Sequence, residues 1–296
     1  RFGEQPVKKY SLTLAIVSIA VILALGSSGD ALAAAPVSHC PAEGTASDVV
    51  DGNNGVLENG AGFASGNIGQ AFSLDGANDR VRVPYNANLN PTGPFSIETW
   101  FKADPSQGSL FALVDKSHGF VDSTGWAIQG DGNTGDIGFV VGNGGGGSGN
   151  FAGAGTGLNL LDDKWHHYAG VFTGSQVQVY VDGVLRGSVA QATPPVPNTR
   201  DFYIGAAFGG GTPTRHFRGE IDEVVYHDAA LTAAEIQAKL LVSSPVSHWR
   251  GEGDYTDSAD GNDGAPVGGV VFGSGFIGQG FSFDGSSGTV VVPDAA

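Results

Sequence analysis

Short runs of alternating apolar and polar residues fill the chain from about residue 95 to residue 226. Phe95-Ser96-Ile97-Glu98-Thr99-Trp100-Phe101 alternates until its end, as a strand with one buried face does. Residues 165–172 place Trp165, His167, Ala169 and Val171 on one face and His166, Tyr168, Gly170 and Phe172 on the other. Residues 176–181 continue the alternation into Asp182-Gly183, a pair that tolerates positive φ and predicts a tight hairpin. Shorter runs at 125–129, 136–141, 201–205 and 219–226 complete the set. Their spacing, broken by Gly, Asn, Asp and Pro, predicts an all-β sandwich or barrel. Residues 142–157, almost all Gly, Asn, Ser, Ala and Thr, read as a flexible connection between strands. They lack the Lys-Ser or Lys-Thr that a phosphate-cradling loop needs.

One helix stands out. Thr232-Ala233-Ala234-Glu235 has the form of a capping box, with Thr232 as N-cap and Glu235 reaching back. The helix is expected to end near Leu241, before Ser243-Ser244-Pro245, because Pro cannot continue it. A domain boundary follows at about residue 243.

The chain then begins to repeat itself. Residues 36–84 align without a gap to residues 245–293, shifted by 209, and 25 of those 49 positions are identical. Such a period is far longer than the ~20–50 residues of solenoid repeats. It predicts tandem copies of a whole domain, one over 36–242 and the start of another over 245–296. The chain has no Met, and the second copy stops early, so the expectation is a piece of a longer protein.

Lys8 and Lys9, an uncharged run over 12–25 and the small residues Ala31-Leu32-Ala33 read as a secretory signal peptide over residues 1–33. The apolar run is shorter than the ~20 residues that span a bilayer. A secreted or cell-surface protein is therefore expected, without membrane insertion of the mature chain. With 14 Lys and Arg against 30 Asp and Glu, a net charge of −16, nucleic-acid binding is not expected. Cys40 is the only cysteine, and Trp249 stands at its place in the second copy. It reads as a small buried hydrophobe rather than a reactive thiol.

Five strings in order now carry a resemblance. They are Phe72-Ser73-Leu74-Asp75-Gly76 with Asp79 to Pro84; 95–102; Trp165 to Phe172 leading into Val179-Tyr180-Val181-Asp182-Gly183; 219–224; and Leu231 to Ile236. Together they resemble the laminin G-like jelly-roll domains of the concanavalin A-like lectin and glucanase superfamily, over residues 36–242 and again from 245. The resemblance implies a two-sheet antiparallel jelly-roll sandwich of five to seven strands per sheet, with one short C-terminal helix. Cys40 departs from the family's usual aromatic.

Glucanases of this superfamily carry Glu-x-Asp-x-Glu or Glu-x-Asp-x-x-Glu on one strand. Glu220-Ile221-Asp222 begins that motif, but positions 224 and 225 are both Val, and Glu223 is expected on the opposite face. No catalytic residue is assigned, and the domain is not expected to be an enzyme. The resemblance also implies one structural calcium ion, with Asp75 and Asp222 as candidate ligands, since calcium takes oxygen donors. His166 and His167, being adjacent on a strand, cannot both reach one ion. Trp126 and Tyr203 are conceivable sugar platforms, but Trp100, Trp126 and Trp165 all sit in strand patterns that favour the core. Sugar-contacting residues stay unassigned. The functional expectation is a non-catalytic module recognising an extracellular glycan or glycoprotein. The alternatives are a spacer or adhesion domain of a surface protein, or an accessory module of an enzyme lying further along its own longer chain.

Overall fold

The computed structural model describes residues 35–292, apart from 118–121, 146–150, 209–212, 244–248, 250, 252, 257–262 and 275–278. In chain order the first strands are β1 (Ser38–Cys40), β2 (Val56–Glu58), β3 (Gly62–Ser65), β4 (Gln70–Asp75), β5 (Arg80–Val83), β6 (Phe95–Ala103) and β7 (Leu110–Asp115). They continue with β8 (Trp126–Asp131), β9 (Ile137–Gly142), β10 (Phe151–Gly155), β11 (Trp165–Phe172), β12 (Gln176–Val181), β13 (Val184–Ala190) and β14 (Phe202–Ile204). After the short pair β15 (Ala207–Phe208) and β16 (Pro213–Thr214) come β17 (Arg218–His227) and helix α1 (Ala233–Ser243). The strands β18 (Ala265–Val267), β19 (Val271–Ser274), β20 (Gln279–Ser282) and β21 (Thr289–Val291) close the described chain.

Two antiparallel sheets form the sandwich. The first runs β13-β12-β11-β6-β17-β4-β3, with β1 also on β17, and the second runs β10-β9-β8-β7-β14-β5-β2. The first therefore has eight strands, one more than the resemblance implied, because β1 adds at the far end of the long β17. Inward-facing residues of both sheets make the core, as alternation requires. Phe95 of β6 contacts Trp126 and Phe139 across the sandwich, each at 5.7 Å between ring centroids, and Phe172 at 6.0 Å. Cys40 is 4% exposed in this core, opposite Val224, and burial pushes its thiol up to about 12. It packs as a small hydrophobe.

The Asp182-Gly183 hairpin forms with both residues at positive φ, 50° and 74°. Residues 142–157 differ from expectation. They hold β10, which pairs with β9 from Phe151↔Gly142 to Gly155↔Gly138. Glycines are poor strand formers, but here they line an edge where bulk has no room. A Cβ on Gly187 of β13 would lie 2.2 Å from the Gly155 carbonyl oxygen.

Helix α1 begins on the expected capping box. The Glu235 N–H donates to Thr232 Oγ1 at 3.2 Å, and the Thr232 N–H donates to Glu235 Oε2 at 2.7 Å. Ile236 packs the helix onto Ala169, Val171, Tyr180 and Leu231 on the outer face of the first sheet. Ser96 fixes the approach: its Oγ donates to the Ala229 carbonyl and accepts the Leu231 N–H, each at 2.9 Å.

In the repeat, β18 pairs with β21 and β19 with β20. Each register equals that of β2 with β5 and β3 with β4, displaced by 209 residues. The segment expected to direct export and the joint at 244–248 lie outside the described residues. Among the described residues no helix is long and apolar enough to cross a membrane.

Candidate functional site

Alternation sends Phe95, Ile97 and Phe101 of β6 into the core and leaves Ser96, Glu98 and Trp100 on the other face. The neighbouring strands add to that outer face in register. Trp100 lies between His167 of β11 and Asp222 of β17, and Glu98 lies between Ala169 and Val225. His227 of β17 stands opposite Ser96. Most of this face is buried: Ser96, Glu98, Trp100, His167 and His227 are all little exposed. Helix α1 lies over part of it, and the segment leading into β1 closes another side.

Between them is a cavity of about 570 Å³, within the ~300–1,000 Å³ of small-molecule sites. Its apolar wall comes from Ala35, Pro36, Ile68, Trp100, Val225 and Ala238. Its polar groups are His39, Glu98, His167, Glu223, His227, Glu235 and Lys239.

Glu98, 2% exposed, is the centre of the polar set. Its Oε1 faces His227 Nε2 at 2.9 Å and accepts from Lys239 Nζ of α1. Its Oε2 accepts no hydrogen bond from the described residues, since His167 Nε2 stands 3.6 Å away. Burial alone would raise this carboxyl. The neighbouring His167 and His227 imidazoles, the latter within hydrogen-bond reach, together with the Lys239 charge, override that and hold it well below the usual carboxylate range. His167 is 3% exposed, meets Trp100 edge-on at 5.3 Å, and leaves Nδ1 without a partner among the described residues. Beside them His39 Nε2 and Glu223 Oε2 lie 2.5 Å apart.

Glu223 corrects an expectation. It was assigned to the face opposite Glu220 and Asp222, yet it lines this cavity together with Val225. A bulge between Asp222 and Val225 in the pairing with β6, with Glu223 at φ 51°, adds a residue and resets the alternation. Ile221, Val224 and Tyr226 consequently all point into the core.

Asp75 and Asp222, the expected calcium pair, are not brought together. Asp75 ends β4 opposite Arg218 and accepts the N–H groups of Ala77 and Asn78 at 2.8 and 3.3 Å. Asp222 accepts the N–H of Ile68 at 2.9 Å, just before β4 starts. The length of β4 separates them by roughly 16 Å at ~3.3 Å per residue, whereas one calcium ion needs both oxygens within ~2.6 Å. Asp222 itself is fully buried, its Oδ1 has no partner among the described residues, and burial pushes its carboxyl up to about 8. Among the described residues no three His, Cys, Asp or Glu side chains converge on a metal position.

His166 and His167 face opposite ways, as expected. His166 bonds Asp182 and Asp162 at 2.9 and 3.2 Å. Trp126 and Tyr203 are 1% and 6% exposed and form no sugar platform. Glu98, His227 and Lys239 were not singled out from the sequence. The one available sign was a Glu and a Trp sharing the outer face of β6 with the expected partner face of His167.

A family model described as the concanavalin A-like lectin/glucanases superfamily, with the laminin G name, matches residues 75–237. No curated protein matches the chain. Among solved structures, domain 4 of AbnA, a GH43 extracellular arabinanase from Geobacillus stearothermophilus, in complex with arabinotriose, is similar at 19% identity. Its TM-score is 0.55, over 70% of this chain and 98% of that one. The binding domain of Paraclostridial Mosquitocidal Protein 1 is similar at 16% identity and TM-score 0.56, over 81% of this chain and 65% of that one. The botulinum neurotoxin serotype D ligand binding domain in complex with N-acetylneuraminic acid is similar at 12% identity and TM-score 0.54, over 80% and 57%. The chain thus spans less than two thirds of either toxin domain, and at these identities the likeness is one of fold. The matched family model covers more than half of the residues, and the chain belongs to the concanavalin A-like lectin/glucanases superfamily.

Proposed function

We propose that this chain is a non-catalytic recognition module of an exported protein, binding carbohydrate or extracellular glycoconjugates in the cavity beside α1. One observation carries the reading: a tryptophan, Trp100, shares a cavity with Glu98, whose buried Oε2 accepts no hydrogen bond from the described residues. A sugar supplies what both need, an apolar ring face and hydroxyl donors. The arabinotriose and N-acetylneuraminic acid complexes of similar folds support the ligand class. Against hydrolysis, Glu220 leans on Lys102 at 3.9 Å, Asp222 is buried, and Val224 and Val225 hold the remaining motif positions. That strand supplies no acid/base partner at the spacing glycosidases use.

The test is a glycan array probed with the full chain and with Ala238→Trp. Ala238 is exposed on α1 at the cavity rim, so the indole fills the mouth without entering the core. The expected result is binding that falls at least tenfold in the variant at unchanged melting temperature. Binding to no glycan would defeat the reading. Undiminished binding by the variant would move recognition off this cavity.

We infer also that one structural calcium ion is held at Asp222 and not at Asp75. The orphaned Asp222 Oδ1 offers a hard oxygen donor, and the charge of Glu43 acts on the same carboxyl. The main-chain oxygen of Gln70 adjoins it at Gly66, where an added Cβ would lie 2.7 Å from both Asp222 Oδ2 and Gln70 O. Excess calcium is expected to raise the melting temperature above that in chelator by several degrees. The gain should survive Asp75→Asn and vanish in Glu43→Gln. No calcium dependence would overturn it.

A further inference from the structure

We infer that the cavity beside α1 admits uncharged saccharides and turns acidic ones away, an inference that rests on the carbohydrate-binding reading above.

The charges that face the cavity decide this. Three carboxylates reach it: Glu98 from β6, Glu223 from β17 and Glu235 from α1. One ammonium reaches it, Lys239, and that group is already held by Glu98 Oε1 and lies 2.9 Å from His227 Nε2. Glu223 is drawn to His39, and Glu235 is held by the N–H and hydroxyl of Thr232. Among the described residues no Arg lines the cavity. A uronate or sialate carboxylate entering here would lose its water beside three like charges. The one ammonium in the described lining, Lys239, is already engaged by Glu98 and does not offer such a group an uncommitted cation.

An uncharged sugar meets the opposite situation. Glu98 Oε2 is a buried anionic acceptor without a donor, and a hydroxyl is the donor such an oxygen lacks. His167 Nδ1, also buried and without a partner among the described residues, can take or give a second hydrogen bond according to its tautomer. Trp100 and Val225 supply apolar surface next to these polar atoms. The polar groups thus ask for hydroxyls on one edge of the ligand and a bare ring face on the other. The chain's overall charge of −16 adds a long-range field of the same sign.

The experiment uses the full chain and matched pairs of methyl ester and free acid: sialyllactose methyl ester with sialyllactose, and the methyl ester of trigalacturonate with the free acid. Binding is measured by titration at low and at high salt. The uncharged member of a pair is expected to bind at least tenfold more tightly at low salt, with the gap narrowing as salt screens the field. Glu98→Gln is avoided as the main variant because it disturbs a buried ion pair. Ala238→Lys, at the exposed rim, is used instead, and is expected to shrink the gap between uncharged and acidic members several-fold by favouring the acidic one. Equal or tighter binding of the acidic members by the unmodified chain would overturn this inference and leave carbohydrate recognition standing. Failure of every member of these pairs and of every glycan on the array would remove both.

Discussion

Glu98→Ala is expected to lower stability by about 3 kcal/mol and to abolish ligand binding at the cavity. Breaking a buried ion pair by deleting one partner costs roughly 3–5 kcal/mol, because the partner's charge stays behind. The lower end applies here: Lys239 is 33% exposed and can turn toward water, whereas His227, at 1%, cannot. The penalty should depend on pH in a definite direction. Contacts with His167, His227 and Lys239 hold the folded carboxyl below its unfolded value near 4.3. A carboxylate lowered in this way contributes fully above that unfolded value and loses its contribution as pH falls through the folded one. The gap between wild type and Glu98→Ala should therefore be widest near neutrality and shrink toward pH 2. Urea unfolding of both proteins at several pH values measures it. A gap that stays constant would mean that Glu98 acts through packing alone.

Trp126→Ala is expected to be the more damaging change to the fold itself, costing about 3–5 kcal/mol. Trp126 is 1% exposed on β8 and stacks on Tyr226 of β17 at 5.7 Å with the rings 5° apart. It also meets Phe202 of β14 at 5.6 Å and Phe95 of β6 at 5.7 Å. One side chain thereby joins both sheets, and no neighbour can collapse into its space without leaving its own strand. At ~2–4 °C per kcal/mol for a domain of this size, the melting temperature should fall by about 10 °C. Trp126→Phe should cost distinctly less, since it keeps the ring contact. A loss below about 1 kcal/mol for the alanine variant would show that the aromatic cluster does not hold the two sheets together.

Much of the fold was legible because the strand code is local. The runs at 165–172 and 176–181 are strands with those same bounds, and the capping box at Thr232 starts the helix it predicts. Strand β7, Leu110–Asp115, was harder to read. Five of its six residues are buried, so there is no alternation to find. Strand β10 was missed for the opposite reason. Its Gly and Ala residues carry almost no strand propensity, and only pairing with β9 makes them one.

The site was far less legible. Ser96, Glu98 and Trp100 alternate with core residues, and alternation says only that they leave the core. Polar positions of that kind usually face water, and nothing local reveals that a helix more than 130 residues later covers them. The bulge at Glu223 was equally hidden. A strand read by strict alternation puts Glu223 and Val225 on the same side as Ile221, which is wrong once one residue is inserted.

The sequence alone determined the strands with a clear alternating pattern, the helix start, the internal repeat, the acidic character and the class of sandwich. These follow from nearest-neighbour rules: side-chain period, turn chemistry and capping. Only the tertiary structure decided that the outer face of β6, β11 and β17 lines a cavity, that Glu98 Oε2 there accepts no hydrogen bond from the described residues, and that Asp75 and Asp222 stand apart. Each of those facts depends on which strands lie side by side and on what covers them. Register across a sheet and the docking of a helix are set by contacts between residues far apart in the chain, so no local pattern carries them.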